Sequence, residues 1–239
     1  LGEIPMPDYA VHADTTHEMA GTYAHAEKWT PWLEEHGVKV RTVRGTRTDF
    51  LVENTNSQTV LIPAFTKRLN STASGQLRRQ CTNEWKIQPI RRFARTIIPH
   101  PKPEAVQMMM GISLDEWTRM RTSNVKYIVN QYPLVDRRIN RAGCVAWLQA
   151  NSLEVPGKSA CSFCPYHSAS AWQIIKRAGG ADWTYAVAMD DALRFRASDH
   201  ETFVHRHAMP LEEAVRIPED YGAKQMEMDI PCDSGHCFV

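Results

Sequence analysis

Apolar and polar positions along the chain repeat with two periods, near two and near 3.6 residues, and the switches between them mark out elements. Tyr9–Ala13, bounded by Pro7 and Asp14, predicts a buried strand. Helical patterning follows from about Glu18 to His36 and stops at Gly37, with Pro31 expected to kink or restart it. Val38–Val43 alternates apolar and polar side chains, the pattern of a strand with one wet face. Residues 44–82 read as irregular and polar, and connections of that length are often functional. Pro89 suits the first turn of a helix whose apolar stripe is Ile90, Phe93, Ala94 and Ile97. Ala105–Ile112 predicts a second buried strand, its methionines acting as core filler. Helices are expected over Arg137–Gln149 and after Ser168 and Asp182, with Gly179-Gly180 as a helix stop. Strands alternating with helices predict an α/β fold, a parallel sheet covered by helices on both faces.

Composition is that of an ordinary globular chain: 239 residues, 43% hydrophobic and 23% charged, enough for one large core or two modest ones. No apolar run approaches the roughly 20 residues that cross a bilayer, and no basic-then-apolar leader is seen. A soluble, cytoplasmic protein without membrane partners is expected. The chain opens on Leu1 and enters a strand within a dozen residues, so it reads as one lacking its natural start. Net charge is only +1, but the basic residues are bunched. Lys67, Arg68, Arg78, Arg79, Lys86, Arg91, Arg92 and Arg95 form one stretch; Arg119, Arg121, Lys126, Arg137, Arg138 and Arg141 form another. Such bunches are solvated helix faces or surfaces for phosphates or a nucleic-acid backbone, and spacing does not choose between them.

The six cysteines carry the clearest chemistry. Without a secretion signal, metal or redox use is favoured over disulfides. Cys161-Ser-Phe-Cys164 is a C-x-x-C knuckle stiffened by Pro165; Cys144 and Cys81 are available as further ligands. Four thiolates at Cys81, Cys144, Cys161 and Cys164 suit an iron–sulfur cluster or a tetrahedral zinc, and the knuckle alone suits a dithiol working by exchange. His167 is a weaker alternative ligand. Cys144, among Val145, Ala146 and Trp147, also reads as a small buried hydrophobe. At the end of the chain, Cys232 and Cys237 bracket Gly235-His236 and read either as a nucleophile with its resolving partner or as an inert tail.

In an open parallel sheet, ligands gather beyond the carboxyl ends of the strands. Asp14 and Thr15 follow the first strand there, and Gly111-Ile112-Ser113 with Asp115 follows the methionine-rich one. Ser113 and Glu116 have capping-box spacing, which would leave Asp115 and Arg119 facing outward to hold a ribose or phosphate. Arg78, Arg79 and Lys86 flank Cys81 just before a helix start, a place that attracts anions. His205 and His207 are expected on one side of a strand.

Taken in order, these segments resemble the phosphoadenosine phosphosulfate (PAPS) reductase-like branch of the PP-loop ATP pyrophosphatases, in wording closest to uncharacterised phage and bacterial members. The matching pieces are Ala13-Asp14-Thr15, the segment from Arg79 through Cys81 and Lys86 to Pro89, and that from Gly111 to Arg119. The segment from Lys158 through Cys161 and Cys164 to His167, His205-Arg206 with Pro210-Leu211, and the two-cysteine tail complete the set. The resemblance implies a Rossmann-like, adenine nucleotide α-hydrolase-like sheet that here lacks its first strand and Ser-Gly-Gly-x-x-Ser phosphate loop. It implies one nucleotide-binding domain over 1–222, with a cysteine insert at about 137–168, and a tail over 223–239. It further implies ATP or a PAPS-type nucleotide contacted by Asp14, Arg79, Lys86 and Arg119, and [4Fe-4S] ligand positions at Cys81, Cys161 and Cys164. The activity implied is sulfonucleotide reduction or ATP-dependent sulfur transfer, with a thiol electron donor. Modification of a tRNA or DNA base, and a non-catalytic accessory role, are the alternatives.

Overall fold

The computed structural model describes residues 4–45 and 60–216. Its architecture is mixed α/β. The elements run β1 (Tyr9–Asp14), α1 (Ala20–Glu35), β2 (Lys39–Arg44), β3 (Phe65–Arg68), β4 (Ser74–Gln76), a π-helical segment Thr82–Ile87, α2 (Gln88–Ile97) and β5 (Val106–Met109). There follow a 3-10 helix Leu114–Arg119, β6 (Ile128–Gln131), α3 (Pro133–Asp136), α4 (Arg141–Ala150), α5 (Ala169–Ala178), α6 (Gly180–Leu193), β7 (His200–Phe203) and α7 (Leu211–Ala214).

Among the described residues the strands form three small sheets instead of the one parallel sheet expected. β1 pairs with β2 and β5 with β6, both in parallel, while β4, β3 and β7 form an antiparallel sheet in that order. The antiparallel sheet corrects the reading of 44–82 as irregular: part of that stretch is a ribbon. Its ladder continues past β3 and β4, because Leu77 N–H donates to Ala64 O (2.8 Å) and both Gln80 and Cys81 N–H donate to Leu61 O (2.9 Å each).

The main apolar core also sits here. Leu61, Ile62 and Ala64 pack with Trp85, Phe163, Trp172, Ile175, Met189, Leu193, Val204 and Leu211. The run Val60-Leu-Ile-Pro-Ala64 is buried throughout, as a continuous apolar strand entry should be. The methionine-rich strand, expected to be buried over Ala105–Ile112, is shorter and only half-buried. α1 runs through Pro31 as one element and buries none of its residues.

Local signals explain several boundaries. Ser168 caps α5 by accepting Ala171 N–H, and Gly179 ends it at φ +62°, where a Cβ would be strained. The helix expected over Arg137–Gln149 starts later, at Arg141, because Arg138 turns to positive φ and Asn140 caps α4 through Gly143 N–H; the short α3 ends just before the expected range. Gly45, just after β2, lies so close to the π-helical segment that a Cβ would meet Glu84 O at 2.7 Å. Only glycine lets the two backbones approach this closely.

Candidate functional site

Three of the cysteines come together. The knuckle is held by backbone hydrogen bonds to the loop leaving β1: Ser162 N–H donates to His17 O (3.0 Å) and Met19 N–H to Ala160 O (3.0 Å), flanking a bridge between Glu18 and Cys161. Phe163, fully buried, anchors the knuckle in the core beside the His17 ring, 5.1 Å from it centre to centre. Within the knuckle, Cys161 O accepts both Cys164 N–H (3.1 Å) and His167 Nε2–H (2.9 Å), so the turn is fixed from both ends.

Cys81 arrives from the ribbon. It stands at the head of the π-helical segment, whose i→i+5 bonding stacks residues five apart. In an α-helix, Cys81 and Lys86 would point about 140° apart. Here both line one cavity, with Trp85 and Thr82. Arg79, Cys161, Cys164 and Tyr166 line it too, and the Arg79 guanidinium lies over the Tyr166 ring at 5.6 Å. The cavity is small, about 40 Å³, room for no more than a few waters.

Charge here is organised around Glu18, which the sequence reading did not single out. Its buried carboxylate pairs with Lys86 Nζ (3.3 Å) and accepts hydrogen bonds from Thr15 Oγ1 (3.2 Å) and Ser159 Oγ (3.3 Å). Thr15 Oγ1 also lies 3.5 Å from Cys161 Sγ. Burial, then the Glu18 charge, then Cys164 push the Cys161 thiol well up, with Lys86 opposing. Cys161 is therefore held protonated at neutral pH. Glu18→Gln removes one raising influence and releases Lys86 towards the sulfur, so Cys161 alkylation by iodoacetamide at pH 8 should accelerate, about tenfold for each pKa unit recovered. Peptide mapping by mass spectrometry reads this, and an unchanged rate would separate Glu18 from the thiol.

The remaining expected residues fall elsewhere. Asp14 is buried and already engaged: Oδ1 accepts Thr16 N–H (2.8 Å) and Tyr23 O–H (3.1 Å), and Oδ2 accepts Arg44 Nε–H (2.7 Å). Burial works to raise its pKa, but these bonds together hold the carboxyl below the usual range. Thr15 faces the cysteines, completely buried. Asp115 spends Oδ1 on Arg141 N–H (2.9 Å) at the start of α4. Arg119 does not face outward; it is buried and pairs with Glu116 at 2.6 Å. That pairing replaces the capping box, since Ser113 makes no side-chain cap and a 3-10 helix follows it. Cys144 stands in the first turn of α4 and is not among the residues lining the cavity; burial and the Asp115 charge raise its thiol. His205 and His207 sit in a turn after β7, His207 N–H donating to His205 Nδ1 (3.2 Å). Cys232 and Cys237 lie outside the described residues.

Three thiols share a cavity, yet among the described residues no group of three or more His, Cys, Asp or Glu is placed to hold a metal ion. A separate open cleft of about 400 Å³ lies at the carboxyl ends of β5 and β6, lined by Gln131, Tyr132, Asp136 and Arg137 among others. No helix among the described residues is long and apolar enough to cross a membrane. Comparison with protein-family models, curated proteins and solved structures finds no match.

Proposed function

We propose that the cysteine cavity is the reaction centre of a PAPS reductase-like enzyme, in which Arg79 and Lys86 hold an anionic group of an adenine nucleotide beside reactive thiols. The observation that supports this is the lining of one cavity by two cations and three cysteines. A cavity of about 40 Å³ takes only the reacting end of such a ligand, the remainder lying outside it. On this reading β1–β2 and β5–β6 belong to one Rossmann-like parallel sheet completed by a further strand, since two-stranded parallel sheets with open edges are rare.

With a sulfonucleotide, a thiolate from Cys81 or Cys164 attacks the sulfuryl sulfur. The S–O bond to phosphate breaks, and the nucleotide departs with the electron pair, steadied by Arg79 and Lys86. A second thiolate then attacks the cysteine sulfur, sulfite leaves with its pair, and the resulting disulfide is reopened by an external thiol. Cys161, held protonated, is not the first attacker. A [4Fe-4S] or zinc centre held by Cys81, Cys161 and Cys164 would supply redox or Lewis-acid chemistry instead, and because it would occupy the same sulfurs it is an alternative to the thiol steps above.

The test is calorimetric titration of the reduced chain with ATP, adenosine 3′,5′-bisphosphate and inorganic sulfate. Arg79→Gln and Lys86→Gln should each weaken anion binding about 10- to 100-fold, the worth of a hydrogen bond to a charged group. Unchanged affinities in both variants would remove the cavity from nucleotide binding. Iron and sulfide analysis after anaerobic purification separates a cluster, at about four irons per chain, from a zinc-bearing or metal-free thiol site.

A further inference from the structure

The ribbon formed by β3 and β4 is more than a spacer. It starts at the cavity, where Gln80 and Cys81 N–H bond Leu61 O, and runs to an exposed tip at 69–74. Its strand portion from Phe65 to Arg68 covers about 10 Å at the usual strand rise. Lys67 and Arg68 are exposed near the tip, Arg78 is exposed near the base, and Arg79 lines the cavity. Among the described residues, Lys67, Arg68 and Arg78 make no ion pair within 4 Å, although after the His200 hydrogen bond the Arg68 charge also helps hold the Asp199 carboxyl low. Two acidic side chains border this track on the β7 side: Glu201, the cross-strand neighbour of Lys67, and Asp199, which is engaged with His200 at 2.7 Å.

Beside the tip lies an aromatic platform. Thr202 N–H donates to Arg194 O (3.0 Å), closing a loop that contains Phe195, and Leu69 N–H donates to Asp199 O (3.2 Å), tying that loop to the hairpin. Phe195 is 76% exposed and Leu69 49% exposed. A phenyl ring this bare has lost most of the benefit of burial and offers a free face. In the same loop, Arg196 donates Nε–H to Ala192 O (3.1 Å) with both Nη nitrogens shielded from solvent and without a hydrogen-bond partner, so its guanidinium is not part of the exposed track.

We infer that the β3–β4 ribbon and the Phe195 loop form a docking surface for single-stranded nucleic acid, which it leads towards the cysteine cavity. A row of exposed cations matches a phosphodiester backbone, and an exposed ring at its end matches an unstacked base. That combination of charge track and stacking platform is how single strands are gripped without sequence readout. A duplex has no free base face for Phe195, and the carboxylate side chains of an acidic peptide have no flat ring to stack on it. The surface is independent of the adenine-nucleotide reading, since it lies outside the cavity.

The experiment is fluorescence anisotropy with labelled mixed-sequence 20-mers, single-stranded RNA, single-stranded DNA and duplex DNA, across a salt series. Single strands should bind at low salt with a linear log–log salt dependence, and duplex at least tenfold more weakly. Lys67→Gln with Arg68→Gln should flatten the slope by about 1.4, two phosphate contacts at roughly 0.7 each. Phe195→Ala should weaken single-strand binding about 5- to 150-fold with little change of slope, and Phe195→Trp should keep it. All three changes should leave ATP affinity as it was, which separates failure of this surface from failure of the cavity. Equal binding of duplex, full competition by polyglutamate, or indifference to both Phe195→Ala and the double cation variant would overturn the proposal.

Discussion

Asp190→Ala is expected to lose about 3–5 kcal/mol of stability, a large part of what holds a domain of this size folded. Asp190 is 1% exposed, yet it serves three partners. Oδ1 accepts Val204 N–H (2.8 Å); Oδ2 accepts Leu211 N–H (3.0 Å) and Arg194 Nη2–H (2.5 Å). One carboxylate on α6 thus fastens the chain leaving β7 and the start of α7. Burial raises its pKa, and the two backbone N–H groups and Arg194 offset that only in part. Truncation would leave two shielded N–H groups without their acceptor, the costliest kind of polar deletion, and Arg194 with only the exposed Asp191 carboxylate at 2.9 Å. Asp190→Asn should be nearly as damaging, because its NH₂ must face either an N–H or the guanidinium. Urea denaturation of both variants checks this; a loss under 1 kcal/mol in each would show that another group holds α6 in place. The effect should reach the site. α6 also carries Asp182, which accepts Ala20 N–H (3.0 Å), and Tyr185, whose hydroxyl lies 2.9 Å from His17 Nδ1, next to Glu18.

What the sequence could disclose depended on how local its cause was. β1 and α5 were readable because an apolar run, a serine cap and a glycine stop each act within a few residues. The ribbon was not, because β3 and β4 are short and mostly polar on the exposed side, and β3 takes β7 as its other neighbour from far along the chain. Pairing of that kind leaves no periodic trace in either partner. The knuckle could be read from its spacing, and Cys81 from its basic surroundings. The π-helical segment that turns Cys81 and Lys86 to one side has no signature separating it from an α-helix, so their convergence was invisible. Arg119 was misjudged for a related reason: the Ser113–Glu116 spacing suits a capping box, but a 3-10 turn puts Glu116 against Arg119 instead. Glu18 went unnoticed because its importance comes only from Lys86, Thr15 and Ser159, brought to it by the fold.

Acid should loosen the cysteine knuckle at a pH where most carboxylates are still charged. His167 is 3% exposed, and burial lowers its pKa to about 4. Its Nε2–H holds Cys161 O, its ring sits edge-on to Trp172 at 4.8 Å, and Nδ1 has no hydrogen-bond partner to welcome a second proton. In the unfolded chain the same ring titrates near 6.5. The folded pKa is thus the lower of the two, and between these values the unfolded state binds more protons, so stability falls as pH drops from about 6.5 to about 4. A separation of some two and a half units corresponds to roughly 3 kcal/mol at full protonation. His205, also lowered to about 4 by burial and by His207 and Arg206, works in the same direction, and its protonation at Nδ1 would break the bond from His207 N–H. Asp190 opposes them, its raised pKa making the folded state the better proton acceptor as acidity increases. His167→Phe keeps the ring against Trp172 but deletes the titration, so it should cost about 1 kcal/mol at pH 8 through the lost hydrogen bond and then decline less steeply towards pH 4.5. Denaturant midpoints at four or five pH values give both slopes. Parallel curves for parent and variant would mean that His167 takes up its proton without opening the knuckle, and the acid response would then come from other groups, His205 and the lowered carboxyls of Asp14 and Asp115 among them.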